Sequence, residues 1–360
     1  MIRFLAIIFL FFSLIACKKD EQPMPGPTPN PQETYYFPPL TGATWETKSA
    51  NSLGWDTTKL NEAFDYAGTV NTFGLIVLQN GRIVKEKYWN NWNQDTRYYI
   101  ASAGKSVLAF LMGMAQEEGL LSINDKTSQY LGTGWTSLPL NKENLITLRH
   151  QLTMTTGLDD DVPDDNCEAP SCLVYKSDAG TRWAYHNAPY TLLHDVLANA
   201  AGQPINQYSD TRLFNRIGMP QATWFNNVLY CTTREAARYG SLSLRKGIWQ
   251  NDTLLHDRNY FNAMTSTSQN INLSYGYLWW LNGKATSMVP TLQTVFIQPL
   301  VPNGPSDMIM ALGKDDKKIY VVPSLNMVVV RLGDAAGPSS LAPSGFDNTF
   351  WGKMKLAVRY

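Results

Sequence analysis

The stretch Tyr99-Ile100-Ala101-Ser102-Ala103-Gly104-Lys105-Ser106-Val107 opens a strongly apolar segment that runs to about Gly119. The segment predicts a helix whose first turn carries Ser102 and Lys105, three residues apart and on one face. A helix N-terminus supplies a positive dipole end and unpaired N–H groups, which lower the pKa of a nearby lysine. A serine beside a neutral lysine is an activated nucleophile, so this stretch is the first candidate for chemistry.

The composition is that of a globular chain of 360 residues, 44% hydrophobic and 17% charged, which can bury a sizeable core. The 30 basic and 30 acidic residues balance, so no excess of cations is available to neutralise phosphates. A nucleic-acid partner is therefore not expected. No spacing typical of a zinc site appears, and we expect no metal and no cofactor.

The first seventeen residues are typical of a lipoprotein signal peptide. An apolar run from Phe4 to Phe12 is too short to span a bilayer comfortably and leads into Leu14-Ile15-Ala16-Cys17. These four residues resemble the lipobox of bacterial lipoproteins, in which the cysteine is lipidated after cleavage. An ordinary anchor helix with an incidental cysteine is the alternative. Lipid on Cys17 would hold the protein on a membrane of the cell envelope, the outer membrane on its periplasmic or surface side, without spanning it.

Residues 18–40 are predicted to form a tether, because prolines recur among polar residues from Pro23 to Pro39. One folded domain, 41–360, is expected to follow, with a helical lobe at about 120–270. Cys167 and Cys172 lie close together in a turn-rich segment, which outside the cytoplasm is typical of a disulfide that closes a small loop. Cys231 is expected to be buried and unpaired.

Strand patterns at both ends of this domain bracket a helical middle. Two β-branched runs over residues 74–88 flank Asn80-Gly81, the strongest short signal for a hairpin. Further strands are predicted at 275–280, 308–312, 319–322 and 326–332. Helices are predicted at 55–66, 146–157, 188–201 and 205–217, and from about residue 346. This order predicts an α+β fold.

Asp159-Asp160-Asp161 and Asp164-Asp165 form an acidic loop in the helical middle. Five carboxylates could suggest calcium, but the loop lacks the alternating aspartates and central glycine of an EF-hand. We therefore predict a solvated loop.

The Ser-x-x-Lys pattern is weak by itself, because Ser243-Leu-Arg-Lys246 also matches it. Lys246 precedes a glycine at an apparent helix end, where a basic residue usually interacts with the helix dipole. Ser102 instead precedes an apolar helix, and a simple N-cap role is its alternative. A second pattern, Tyr185-His186-Asn187, follows in the helical middle, just before a predicted helix start.

In this order and context the chain resembles the penicillin-recognising serine hydrolases over about residues 45–360. That family includes class C β-lactamases, D-alanyl-D-alanine carboxypeptidases, related serine esterases and 6-aminohexanoate-dimer hydrolases. The resemblance implies an antiparallel sheet flanked by helices beside an all-helical lobe, with the active site between the two.

The resemblance also implies a role for each motif residue. Ser102 would be the nucleophile that forms an acyl-enzyme, and Lys105, kept neutral, would be its general base. Tyr185 would relay a proton to the leaving group, and the nearby lysine charge is expected to lower its pKa. Asn187 would donate to the carbonyl side of the substrate, and His186 is expected to point away.

The family's third motif, a strand with Lys or His, then Thr or Ser, then Gly, is only partly present. Its place is taken by Ala311-Leu312-Gly313-Lys314. Gly313 fits the need for close backbone approach, and an N–H near Leu312 to Lys314 would form an oxyanion hole with the N–H of Ser102. Whether Lys314 replaces the missing cation depends on its orientation.

Because the cation and hydroxyl are missing, β-lactams and D-Ala-D-Ala carboxylates are less expected substrates. We expect a serine hydrolase acting on a small-molecule or peptide ester or amide. A D-alanyl-D-alanine carboxypeptidase or a β-lactamase is the alternative within the family. A non-catalytic envelope binding protein with the same fold is the alternative of another class.

Overall fold

The hairpin predicted around Asn80-Gly81 is the first part of the central sheet. In the computed structural model, which describes residues 34–338 and 343–360, β1 (Thr72–Gln79) and β2 (Arg82–Tyr88) pair antiparallel across these two residues. Asn80 has a φ of 48° and Gly81 a φ of 79°, as a two-residue hairpin turn requires. The hairpin therefore forms where the sequence predicts it.

Nine strands follow the hairpin in the described residues: β3 (Arg97–Tyr99), β4 (Thr223–Phe225), β5 (Val228–Thr232), β6 (Ile248–Trp249), β7 (Asp252–Thr253), β8 (Trp280–Leu281), β9 (Ile309–Gly313), β10 (Lys317–Val322) and β11 (Met327–Gly333). The main sheet has six antiparallel strands in the order β2-β1-β11-β10-β9-β8. A second sheet has the order β3-β5-β4, and β6 pairs with β7. Strands from the two ends of the chain thus lie side by side.

Helices flank this sheet and fill the middle of the chain. They are α1 (Thr57–Thr69), α2 (Gly104–Glu117), α3 (Ser128–Leu131), α4 (Leu140–Glu143), α5 (Leu148–Leu152), α6 (Asn187–Thr191), α7 (Leu193–Ala201), α8 (Ile205–Ser209), α9 (Asn215–Ile217), α10 (Thr233–Leu244), α11 (Arg258–Met264) and α12 (Gly345–Val358). A π-helical turn, Asp210–Phe214, joins α8 to α9.

The two faces of the main sheet are covered by different helices. Gly240 of α10 lies against Ile319 and Val328, whereas the ring of Tyr320 stacks on Phe350 of α12. Because consecutive strand residues face opposite sides, α10 and α12 cover opposite faces of the sheet. This mixed helical and antiparallel arrangement confirms the predicted α+β fold class.

The helical segment has a small core of its own, formed by Trp135, Ile146, Leu158, Leu173, Ala188 and Leu192. The sequence predicts that this lobe extends to about residue 270. However, α10 packs against β10 and β11, so residues 233–244 belong to the layer on the sheet. The helical lobe therefore ends earlier than predicted.

The N-terminal limit of the compact unit also differs from the prediction. This unit runs from Tyr35 to Tyr360. The N–H of Tyr36 donates to Asn80 O at 2.9 Å, and Arg238 Nη2 donates to Pro39 O at 2.7 Å. The folded body thus begins before residue 41. The predicted signal peptide and the lipidation of Cys17 lie outside the described residues.

Two predicted elements differ from those in the structure, one in its length and the other in its type. The helix predicted at 146–157 spans only α5, because Thr153 Oγ donates back to Arg149 O and Met154 takes a φ of 58°. The strand predicted at 275–280 is a tight turn in which Gly276 N–H donates to Trp279 O. A side chain at Gly276 would lie 2.2 Å from Met264 O, so this turn packs directly on α11.

Cys167 and Cys172 are joined by a disulfide, and Cys231 is buried with a free thiol. Across residues 34–338 and 343–360, the helices are all too short or too polar to cross a bilayer. Within the same ranges no three His, Cys, Asp or Glu side chains are grouped so that they could hold a metal ion.

A network of buried charges ties α12 to β10. Asp347, which is fully buried, accepts hydrogen bonds from Lys318 Nζ at 3.0 Å, Tyr320 Oη at 2.6 Å and the Ser344 N–H at 2.7 Å. Lys318 Nζ also lies 3.0 Å from Asp316 Oδ1. These contacts anchor the first turn of α12 to the sheet.

Candidate active site

Ser102 lies in a 3-10 turn, Ala101–Ala103, between β3 and the N-terminus of α2. Ala101 has a φ of 48°, in the left-handed region that a non-glycine residue rarely adopts, so the turn before α2 is sharp. The Ser102 side chain is half-buried. The predicted helix is thus present, but Ser102 precedes its first α-helical turn.

Lys105 lies in the first turn of α2 and is 4% exposed. Its Nζ is 3.2 Å from Ser102 Oγ and 3.0 Å from Asn187 Oδ1, and it lies over the ring of Tyr190 at 3.8 Å from the centroid. Burial lowers the pKa of Lys105 from 10.5 to about 7, although the nearby Asp165 carboxylate opposes the shift. A large fraction of this amine is therefore neutral at neutral pH.

Tyr185 lies beside Ser102 and Lys105, in the segment that leads into α6, and Lys105 Nζ is 5.3 Å from the centroid of its ring. Its ring stacks on Trp280 at 5.6 Å and meets Tyr275 edge to face at 6.3 Å. Burial raises the pKa of Tyr185, and its hydrogen bond with Ser102 only partly offsets this. The prediction that nearby lysine charge lowers this pKa was wrong in direction, because burial, reinforced by the Asp165 charge, outweighs the Ser102 hydrogen bond. Tyr185 is therefore a neutral phenol at neutral pH.

Asn187 is the first residue of α6 and connects two charged groups. Its Oδ1 accepts from Lys105, and its Nδ2 donates to Asp165 Oδ2 at 3.0 Å. The neighbouring His186 is buried, and its Nδ1 has no partner among the described atoms. Ser102, Lys105 and these motif residues thus meet at one place.

The strand that fills the third-motif position packs directly on the turn of Ser102. A side chain at Gly313 would lie 2.4 Å from Ile100 O and 3.1 Å from Ala103 N. Leu312 is buried on β9, whereas Lys314 is exposed in the turn that follows the strand. The backbone of this segment therefore reaches the site, and its apolar side chains supply neither a charge nor a hydroxyl.

A different lysine is buried beside this strand. Lys317 pairs in register with Gly313, and its Nζ donates to Tyr99 Oη at 2.8 Å and to Asp315 Oδ2 at 3.3 Å. This cation is thus already engaged by an acid and a phenol.

The second Ser-x-x-Lys match has a different environment. Ser243 is buried inside α10 and donates to Tyr239 O at 3.0 Å, whereas Lys246 is exposed beyond the end of that helix. Position on the helix therefore separates the two matches, as the sequence predicts.

Motif reasoning missed the residues that surround the four motif side chains. Asp165 lies in the loop that was predicted to be solvated, and Tyr190, Tyr275 and Trp280 form an aromatic wall. The only sequence signals were an acidic run and a high content of tyrosine and tryptophan, which do not indicate which of these residues face the site.

Comparison with known proteins places these features in a family. Residues 58–294 match the family model described as Beta-lactamase. An uncharacterized protein of Alkalihalophilus pseudofirmus is 23% identical over 331 residues, which are 80% of this chain and 89% of that protein. The D-alanyl-D-alanine-carboxypeptidase/endopeptidase AmpH of Escherichia coli is 26% identical over 161 residues, 41% of this chain. That match spans 42% of AmpH, less than half of its length.

The same fold occurs among solved structures. A provisionally assigned 6-aminohexanoate-dimer hydrolase from Bacillus anthracis superposes with a TM-score of 0.65 at 17% identity. The match covers 87% of this chain and 86% of that protein. The family match and this shared fold confirm the resemblance found in the sequence.

Proposed function

The chain belongs to the β-lactamase family of serine hydrolases, and on this premise we propose that it cleaves an ester or amide bond through an acyl-enzyme on Ser102. The observation that carries the proposal is the 3.2 Å contact between Lys105 Nζ and Ser102 Oγ. Because burial lowers the pKa of Lys105 to about 7, this amine can accept the serine proton at neutral pH.

In the acylation step, Ser102 Oγ bonds to the carbonyl carbon and its proton moves to Lys105 Nζ. The oxyanion is held by the Ser102 N–H and by an N–H of the segment from Leu312 to Lys314. The bond to the alcohol oxygen or amine nitrogen then breaks. Tyr185, as a neutral phenol, gives its proton to this leaving group and regains one from the Lys105 ammonium.

In the deacylation step, a water gives a proton to the same Ser–Lys–Tyr cluster and attacks the acyl carbon. The bond to Ser102 Oγ breaks, the serine regains its proton, and the carboxylic acid leaves. The three side chains exchange protons as one coupled unit, so the base is a property of the cluster. The N–H of Asn187 that does not face Asp165 is available to the carbonyl side of the substrate.

An ester or amide is favoured over a β-lactam or a D-Ala-D-Ala peptide by the composition of β9. Ala311 and Leu312 are buried and apolar, and Lys314 is exposed beyond the strand. The strand therefore lacks the cation and hydroxyl that would recognise a substrate carboxylate. We further propose that the enzyme acts in the cell envelope, anchored through lipid on Cys17.

Labelling of Ser102 tests the proposal. The full chain, its Ser102→Ala variant and its Ser243→Ala variant are each treated with a fluorescent fluorophosphonate and, separately, with a fluorescent penicillin. We expect fluorophosphonate labelling and p-nitrophenyl ester turnover in the wild type and in Ser243→Ala, and neither in Ser102→Ala. Ser243→Ala is the matched control because it removes the other Ser-x-x-Lys serine.

Two other results would change the assignment. Penicillin labelling that disappears in Ser102→Ala, without ester turnover, would favour a carboxypeptidase or β-lactamase. A wild-type chain that takes up neither probe and turns over no ester would favour a non-catalytic binding protein.

Gly313→Ala tests the oxyanion hole. A methyl group at this position would meet Ile100 O and Ala103 N, so β9 must move away from the Ser102 turn. We expect kcat/KM for a p-nitrophenyl ester to fall by up to about 100-fold, since misplacing a reacting group by about 1 Å has that effect. Gly345→Ala, where an added methyl meets no atom within 4 Å, is the control and should keep full activity. Unchanged activity in Gly313→Ala would exclude β9 from the oxyanion hole.

A further inference from the structure

Asn187 lies between a base and an acid. Its Oδ1 accepts from Lys105 Nζ at 3.0 Å, and its Nδ2 donates to Asp165 Oδ2 at 3.0 Å. If the amide were turned over, its oxygen would face the Asp165 carboxylate, which has no proton to donate, and that contact would be lost. A carboxylate only accepts hydrogen bonds, so Asp165 fixes which end of the amide faces Lys105.

Asp165 is itself held in place on two sides. The Ala188 N–H, at the start of α6, donates to Asp165 O at 2.9 Å. Asn166 Nδ2 donates to Asp165 Oδ1 at 2.9 Å. Two residues further on, the Cys167–Cys172 disulfide closes the same loop. This carboxylate is therefore built into the site, although the sequence places it in an acidic surface loop.

Asp165 also acts on Lys105 through its charge, and the other described groups around this lysine are uncharged near pH 7. From the α6 side these are Tyr185 and Tyr190, whose pKa values are raised by burial, and from α7 His194, whose pKa burial lowers to about 4. Tyr275, behind the two tyrosines, also has its pKa raised by burial. All four are neutral near pH 7, so the negative charge that acts on Lys105 comes from Asp165.

The groups around Asp165 itself do not cancel this charge. His186 faces Asp159, Asp160 and Asp165, and burial lowers its pKa, so its imidazole is neutral at pH 7. Arg182 is paired with Asp160, with 2.5 Å between Nη2 and Oδ1.

We propose that Asp165 is a positioning residue for the hydrolysis: it orients the Asn187 amide toward Lys105 and places a negative charge directly behind that amide. This inference rests on the proposed function, in which neutral Lys105 is the base. With its carbonyl oxygen bound to the lysine and one N–H bound to Asp165, the amide keeps its second N–H available to the substrate. Asp165 acts through the Asn187 amide and through the negative charge of its own carboxylate, and it takes no part in bond making.

The test compares the full chain with Asp165→Asn and with Asp164→Asn, which removes the neighbouring exposed carboxylate of the same loop. In the wild type, kcat/KM for a p-nitrophenyl ester should rise with pH to a plateau above about 7, because only neutral Lys105 accepts a proton. Removing the Asp165 charge favours the neutral form of Lys105. In Asp165→Asn the rise of kcat/KM with pH, its acid limb, should therefore occur about one pH unit lower. The plateau should also fall by about 10-fold as the amide loses its fixed orientation.

Asp164→Asn should leave both the acid limb and the plateau unchanged. An Asp165→Asn variant with the wild-type acid limb, or with one moved to higher pH, would overturn the inference. The concentration of folded active sites is measured by fluorophosphonate labelling. Partial unfolding of a variant would lower this concentration but would not change the pH at which kcat/KM rises.

A second measurement separates this inference from the proposed function. Lysines are labelled with ¹³C at Cε, and the Lys105 signal is assigned by its absence in Lys105→Met and titrated by NMR. A lower Lys105 pKa in Asp165→Asn than in wild type would support the inference even if no ester is hydrolysed, in which case the proposed function alone fails. Ester turnover with an unmoved Lys105 pKa would overturn the inference and leave the proposed function standing.

Discussion

Lys105→Met should lower kcat/KM for an ester substrate by about 10²- to 10⁴-fold, the range that a positioned general base supplies. Methionine has a similar length and is apolar, so it fills the buried space of Lys105 without accepting a proton. Lys105→Arg should cause a comparable loss for a different reason, because a guanidinium stays protonated at every accessible pH. Initial rates with a p-nitrophenyl ester, measured between pH 5 and 9, check both variants.

Comparing Lys105→Met with Lys105→Arg distinguishes a general-base role of Lys105 from a purely electrostatic role. If a positive charge near Ser102 were sufficient, Lys105→Arg would keep most of the activity, and the general-base assignment would be wrong. Thermal unfolding provides the control, since both variants must melt in one transition at a temperature close to that of the wild type before their rates are compared.

Asp347→Asn should lower the free energy of unfolding by about 3 kcal/mol. Breaking a buried ion pair typically has an effect of about 3–5 kcal/mol, because the remaining charge is left buried without its partner. The lower end of the range applies because Asp316 Oδ1 remains 3.0 Å from Lys318 Nζ. Urea unfolding followed by tryptophan fluorescence measures the change.

The matched control is an ion pair on the surface. Asp65 Oδ1 lies 3.4 Å from Lys87 Nζ, and both side chains are well exposed. Asp65→Asn should change the free energy of unfolding by less than about 1 kcal/mol, since solvent screens such pairs. Equal effects of Asp347→Asn and Asp65→Asn would show that the buried network adds no particular stability.

The parts of this fold that sequence predicts are those determined by local chemistry. Asn80-Gly81 specifies its hairpin because only a few residue types accept positive φ at both turn positions. The apolar run after Ser102 specifies α2, and the β-branched runs near the C-terminus specify β10 and β11. Elements such as 275–280 were mistaken because a tertiary contact, the approach of Gly276 to Met264, decides their conformation.

In the candidate active site, too, the sequence predicts some features, whereas others depend on tertiary contacts. Spacing and order were enough to single out Ser102, Lys105, Tyr185 and Asn187, which lie together in the structure. The direction of the Tyr185 pKa shift was not predictable, because it depends on how deeply the ring is buried. Asp165 was equally hidden, since a sequence gives no reason to choose one carboxylate of an acidic run over its neighbours.

The place of β11 in the middle of the sheet has a consequence for how the protein is made. Val77 of β1 pairs with Val329 of β11, so the first strand and its central partner are separated by most of the chain. Until β11 leaves the ribosome, β1 has only β2 beside it, and an isolated two-stranded hairpin is marginally stable at best. Such distant pairing also makes folding slow. The nascent chain therefore cannot complete its main sheet until synthesis is nearly finished.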